Sequence, residues 1–125
     1  MIGKSQLTAF LATSNPARSK AFYAKTLGLR LIEDDQFALL FDSGGVPLRI
    51  QKADAVRPHS FTALGWQVRS IRRVVAGLVK RGVVLERYPF LEQNEQGVWL
   101  APSGTRVAWF KDPDGNILSV SESPR

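Results

Sequence analysis

Cysteine is absent from the 125-residue chain, and with it go disulfides, thiolate metal sites and a cysteine nucleophile. Histidine occurs once, as His59, and one imidazole cannot build a three-ligand metal constellation. Nowhere does an apolar run approach the roughly 18 residues that a membrane-spanning helix needs. The opening MIGKSQLTAF breaks off too soon to read as a signal peptide. These absences predict a soluble, untargeted chain with no membrane partner, compatible with a reducing cytoplasm.

Acidic residues are also scarce, 11 against 17 Lys and Arg, which leaves a formal net charge of +6. Such a balance attracts phosphates without sequence preference, so a nucleic-acid partner has to be considered. The basic residues are scattered, however, and no helix-turn-helix, zinc-finger or aromatic RNA-binding signature lies among them. We therefore expect no nucleic acid. An anionic small ligand or a solvated basic surface accounts for the charge.

The chain is 44% hydrophobic, enough for one compact domain across residues 1–125. Gln6 to Thr13 alternates as a strand. Ser14 and Asn15 offer capping oxygens, Pro16 fits a first helical turn, and Gly28 is placed to stop a helix running from Pro16 to Leu27. Leu29 to Glu33, Phe37 to Asp42 and Val46 to Lys52 read as strands, the last two joined through Ser43-Gly44-Gly45. After a link around Ala53 to Ser60 the order restarts. Phe61 to Arg69 is a strand, and Ile71, Val74, Val75, Leu78 and Val79 recur at helical steps until Gly82. Strands at Val83 to Glu86, Val98 to Ala101, Thr105 to Lys111 and Asn116 to Ser121 follow. The polar stretch Glu92 to Gly97 reads as a lid or a long exposed loop. Similar offsets separate Gly28 from Gly82 and Thr13 from Arg69, an internal repeat in pattern. The predicted fold is α+β, two βαβββ modules at about residues 5–52 and 60–122.

Two segments make this pattern specific. One is Ser14-Asn15-Pro16-Ala17-Arg18-Ser19-Lys20-Ala21-Phe22-Tyr23 with Leu27-Gly28-Leu29, and the other is Trp109-Phe110-Lys111-Asp112-Pro113-Asp114-Gly115-Asn116. Together they resemble the vicinal oxygen chelate superfamily, the glyoxalase, bleomycin-resistance and extradiol-dioxygenase group. The resemblance implies a cleft on the inner faces of the two sheets, usually with one divalent metal, and a homodimer. Carried over by position, the metal ligands fall on Thr8, Ala63 and Ser119, none of which is a strong ligand. The resemblance thus implies the metal-free branch, with no metal and no cofactor.

Alternation puts Gln6, Thr8, Phe10 and Ala12, then Phe61, Ala63, Gly65 and Gln67, then Ile117, Ser119 and Ser121 on the cleft faces. Leu64, Trp66, Val68, Leu118 and Val120 then face the helices. Arg49 and Gln51 share one face of the fourth strand. The Arg49 guanidinium is a fork either for an anionic ligand or for a carboxylate at a subunit contact. Trp99 and Trp109, with Tyr88 and Phe90, can wall a pocket or simply pack. The ligand-binding candidates are Thr8, Phe10, Arg49, Gln51, Phe61, Gln67, Trp99, Trp109 and Ser119, and catalytic residues are not assigned. The expected function is metal-independent binding of a small aromatic or anionic metabolite or antibiotic. The alternative is a glyoxalase- or dioxygenase-type enzyme with a displaced metal. Metal-free acid–base chemistry by Glu33, Asp34, Glu86 or Tyr88 ranks behind both, because nothing in the sequence clusters them. His59 reads as a loop histidine.

Overall fold

The computed structural model describes residues 1–125 and divides them into two compact units, Met1–Arg57 and Pro58–Arg125. Each unit is a four-stranded sheet with a helix. The first contains β1 (Ala9–Thr13), α1 (Pro16–Ala21), β2 (Arg30–Asp34), β3 (Ala38–Ser43) and β4 (Val46–Lys52); the second contains β5 (Thr62–Gln67), α2 (Ile71–Lys80), β6 (Trp99–Leu100), β7 (Arg106–Lys111) and β8 (Ile117–Glu122). The sheet orders are β1-β4-β3-β2 and β5-β8-β7-β6, so the same topology occurs twice. In each sheet the first strand pairs parallel with the last, and the other pairs are antiparallel.

In the first unit, the Asn15 side chain accepts from the Arg18 amide and Pro16 opens α1. Beneath that cap, the Ser19 hydroxyl donates to Thr13 Oγ1 at 2.8 Å, and both residues are fully buried. The helix does not run regularly to Leu27 as periodicity suggests. Phe22–Thr26 is π-helical, with the Leu27 amide donating to the Phe22 carbonyl five residues back. Tyr23, fully buried in this widened turn, meets Phe41 with ring centroids 5.9 Å apart. Gly28 then turns the chain at φ 78°, a conformation that disfavours a Cβ. Leu11, Leu39, Phe41, Leu48 and Ile50 complete the buried face. The β3–β4 turn is the two residues Gly44-Gly45, both at positive φ, closing on the Ser43–Val46 pair.

In the second unit, α2 packs on β7 and β8. Its buried stripe is Ile71, Val75 and Leu78, while Arg72, Arg73 and Lys80 face water. Ser70 caps it, and the Glu122 carboxylate accepts from the Ile71 amide at 2.9 Å, setting a negative charge against the helix start. The covered face of the sheet holds Ala108, Phe110, Leu118 and Val120, with Leu64 and Trp66 in register beside the last two.

Two expectations need correction here. The first strand begins at Ala9, so Gln6 and Thr8 lie outside it; the Gln6 amide instead donates to the Gly45 carbonyl. Val83–Glu86 is not a strand, and only Leu85 bridges to Phe110. The Glu86 amide donates to the Trp109 carbonyl at 2.8 Å, and beyond it Gln93 accepts from the Tyr88 amide at 2.8 Å and donates to the Glu86 and Gly97 carbonyls at 2.9 and 2.8 Å. The Glu92–Gly97 stretch is a loop in which Glu92, Asn94 and Glu95 are exposed. Asn94 Oδ1 accepts from the Gln96 and Val98 amides, and Gly97 and Val98 are buried.

Candidate functional site

The face of the second sheet opposite α2 is ordered in rows across the strands. Lys111, Ile117 and Thr62 form one row, Trp109, Ser119 and Gly65 the next, and Trp99, Val107, Ser121 and Gln67 the third. Thr62 belongs to this face because the β5–β8 register slips between Thr62 and Leu64. Simple alternation had given the place to Phe61. That residue is exposed and precedes the strand, with its ring stacked on the His59 imidazole at 4.7 Å and 9°. A bulge leaves no mark in the apolar–polar pattern, which is why Thr62 was not legible.

Trp109 is the centre of the face. Its indole N–H donates to Thr62 Oγ1 at 3.1 Å, although β8 lies between their two strands, so the ring must reach across β8. Ile117, in the row of Thr62, is buried. Tyr88 meets Trp109 edge-on at 5.5 Å and 82°, and Trp99 lies at 6.0 Å and 32°. Phe90 extends the group from Tyr88 at 5.6 Å. A ring held on three sides has little rotamer freedom left to lose when something stacks on it. Beside this aromatic group the sheet is low. Gly65 has no side chain, and a Cβ built there would lie 2.6 Å from Ser119 Oγ. Tall rings on β6 and β7 next to hydroxyls and a glycine on β8 and β5 make a step suited to a flat molecule with one hydrogen-bonding edge.

Lys111, in the first of these rows, pairs with Glu86 at 3.5 Å. The Tyr88 phenol is pushed above its ordinary range, first by burial and then by the Glu86 charge, so it stays protonated near neutrality. Gln67, at the end of β5, donates its amide to Ser123 Oγ at 2.6 Å. Trp99, Trp109 and Ser119 are thus brought together, Gln67 sits at the margin, and Phe61 stands apart.

The remaining candidates lie in the first unit. Phe10 on β1 is 55% exposed and in register with Arg49 on β4, and Gln51 shares that face. Thr8 is exposed, one residue before β1. Asp34 and Asp35 are both held below the ordinary carboxylate range. For Asp34 the hydrogen bonds from Lys52 and then Lys20 are the main cause, and for Asp35 those from the Phe37 and Ala38 amides.

A profile of the glyoxalase/bleomycin resistance protein/dioxygenase superfamily matches residues 5–120. The chain belongs to that superfamily. A probable trivalent organoarsenical cleaving enzyme from Bacillus subtilis is 27% identical over 101 residues, which cover 79% of this chain and 66% of that relative. Among solved structures, the glyoxalase family protein from Enterococcus faecalis superposes with a TM-score of 0.76 at 24% identity, over 98% of this chain and all of the other. A fosfomycin resistance protein from Listeria monocytogenes gives 0.75 at 15% identity, over 97% of this chain and 94% of its own. These structural likenesses establish the two-module fold.

The divalent metal that the superfamily implies finds no matching donors. Ala63 carries no donor atom, Ser119 stands between Gly65 and Trp109, and no group of three His, Cys, Asp or Glu side chains lies together. The superfamily-like Asp112–Asn116 segment is structural: the buried Asp112 carboxylate accepts from the Asp114 and Asn116 amides and from the Asn116 side chain.

Proposed function

We propose that the chain is a metal-independent small-molecule-binding protein of its superfamily, capturing a largely planar aromatic metabolite or antibiotic on the open face of the second sheet. The observation that carries this reading is the fixed indole of Trp109, held by Thr62, Tyr88 and Trp99, beside the low floor of Ser119 and Gly65. Such a surface supplies stacking area and a free edge for hydrogen bonds, and the one carboxylate described beside it, Glu86, is paired with Lys111. The net charge of +6 disfavours cationic ligands and leaves neutral or anionic ones. The superfamily's habits support a homodimer and the absence of cysteine is compatible with the cytoplasm; no helix is long and apolar enough to cross a membrane.

Tryptophan fluorescence tests the reading, since Trp66, Trp99 and Trp109 all belong to the second unit. Titration with a panel of planar aromatic compounds is expected to give saturable quenching that Trp109→Ala abolishes. No saturable response from any compound, with native mass spectrometry showing no co-purified molecule, would refute it. Light scattering tests the dimer. The organoarsenical-cleaving relative favours a second reading, an enzyme with a metal held by other donors. About one Zn, Ni, Fe or Mn per chain by elemental analysis would move the balance to it.

A further inference from the structure

We propose that Gln93 is the positioning residue of the aromatic face, the side chain that holds Tyr88 and Trp99 against Trp109; this rests on the reading of that face as the binding surface. β8 takes one edge of β7 along Arg106–Lys111. The other edge is covered in two pieces. Trp99 and Leu100 of β6 lie in register with Val107 and Arg106, and further along Leu85 bridges to Phe110 while the Glu86 amide donates to the Trp109 carbonyl at 2.8 Å. Both pieces run antiparallel to β7. In the first unit the strand at this place in the order is the single segment β2. Here the chain leaves β7 after Glu86, makes the excursion 87–98, and returns at Trp99 to continue the interrupted strand.

Gln93 closes that interruption. Its backbone bridges to Trp99, the first residue of the returning piece. Its side chain reaches the departing piece: Oε1 accepts from the Tyr88 amide at 2.8 Å, and Nε2 donates to the Glu86 carbonyl at 2.9 Å and the Gly97 carbonyl at 2.8 Å. One residue thus ties the backbone of Tyr88 to that of Trp99, the two residues whose rings meet Trp109 at 5.5 and 6.0 Å. Only a primary amide offers an acceptor and two donors at this reach. Gly97 permits the close return, since at φ 85° a Cβ on it would lie 3.1 Å from Leu85 Cβ. A two-residue strand and a single bridge supply little ladder of their own to fix either ring. The splice at Gln93 supplies the missing order, and rings held beforehand spare a ligand the cost of ordering them.

The test compares two variants of the full chain. Gln93→Met keeps the volume and loses all three side-chain bonds. Asn94→Ala removes the acceptor of the Gln96 and Val98 amides in the same loop but leaves the link between Tyr88 and Trp99 intact. The ligand-free readout is the exciton couplet of the Trp99–Trp109 pair in ultraviolet circular dichroism, with nuclear Overhauser contacts between the Tyr88 and Trp109 rings beside it. Both signals are expected to be lost in Gln93→Met and kept in Asn94→Ala, although each variant lowers the urea midpoint. The binding probe is naphthalene-2-carboxylate, a planar anion, followed through the indole N–H chemical shifts. Its dissociation constant is expected to rise about three- to tenfold in Gln93→Met and to stay within about twofold of the parent in Asn94→Ala. If Gln93→Met does not fold, Gln93→Glu at pH 7 replaces it; it keeps the bond from Tyr88, loses both donations, and is expected to weaken the couplet. An unchanged couplet, an equal loss in both variants, or equal affinity for the probe in the parent and Gln93→Met overturns the proposal. A couplet lost only on changing Gln93, with no saturable shift in the parent from the probe or any other planar compound, supports the role of Gln93 in holding the rings and refutes the binding reading instead.

Discussion

Replacing Gly65 by alanine tests the geometry of the low floor more sharply than any other single change. A Cβ at that position would lie 2.6 Å from Ser119 Oγ, while the next atoms, the Ser119 carbonyl oxygen and Cβ, are at 3.7 and 3.9 Å, ordinary contact distances. The strain therefore falls on one hydroxyl. Overpacking of this kind costs about 1–3 kcal/mol. Replacing glycine where the backbone suits alanine restores about 0.4–1 kcal/mol by narrowing the unfolded ensemble. The net expectation for Gly65→Ala is a loss of about 1 kcal/mol, roughly 4 °C in melting temperature for a chain of this size. Removing the hydroxyl as well, in Gly65→Ala/Ser119→Ala, eliminates the clash and keeps the entropic gain. The double variant should then be at least as stable as Ser119→Ala alone, a coupling of about 1–2 kcal/mol. Urea denaturation followed by far-ultraviolet circular dichroism measures all four proteins without relying on the nearby tryptophans. Strict additivity, or no loss in Gly65→Ala, would show that the Gly65–Ser119 row is not packed as described.

Other expectations concern the same face and the charged sheet of the first unit. Thr62→Val keeps the shape of the residue but removes the acceptor of the Trp109 N–H; we expect a loss of about 0.5–1.5 kcal/mol and altered tryptophan emission, and an unchanged spectrum would mean that the bond does not hold the ring. Asp34 is lowered by Lys52 and Lys20, so its stabilising contribution is complete above the unfolded value of about 3.9 and disappears as pH falls through the lower folded value. Asp34→Asn should accordingly be less stable at pH 7 and lack that part of the acid loss; the same acid slope in both proteins contradicts the assignment. Tyr88 is raised by burial and by Glu86, so the folded state is favoured below about pH 10 and loses stability as pH climbs from there through the folded value. Tyr88→Phe should flatten that alkaline loss in a urea-midpoint series.

The fold was legible where local chemistry and global topology agree. Asn15-Pro16 opens the first helix, Gly44-Gly45 closes the hairpin, and the Ile71, Val75, Leu78 stripe announces α2, each a short-range signal that the tertiary structure leaves intact. What escaped depends on partners distant in sequence. The apolar content of Val83–Glu86 suggests a strand, but its backbone is taken up piecemeal, the Val83 amide by the Leu78 carbonyl, the Glu86 amide by the Trp109 carbonyl and the Glu86 carbonyl by the Gln93 side chain from across a loop. The slip at Thr62 moves a hydroxyl onto the aromatic face and leaves Phe61 beside His59. Trp99 and Trp109 could be named as wall candidates from composition and alternation. Their mutual contact, and the bond that pins Trp109 across β8, required the sheet order. Thr8, Ala63 and Ser119, the positions onto which the resemblance carries the superfamily's metal ligands, hold residue types that are not strong ligands.

On the proposed function, the aromatic face binds its ligand without a metal. The most direct measurement is a tryptophan-fluorescence titration of one binding compound before and after exhaustive chelation, with elemental analysis of the same samples. Far less than one divalent ion per chain and the same dissociation constant in both titrations are expected. About one ion per chain, with binding lost on chelation and restored by the metal, would contradict it.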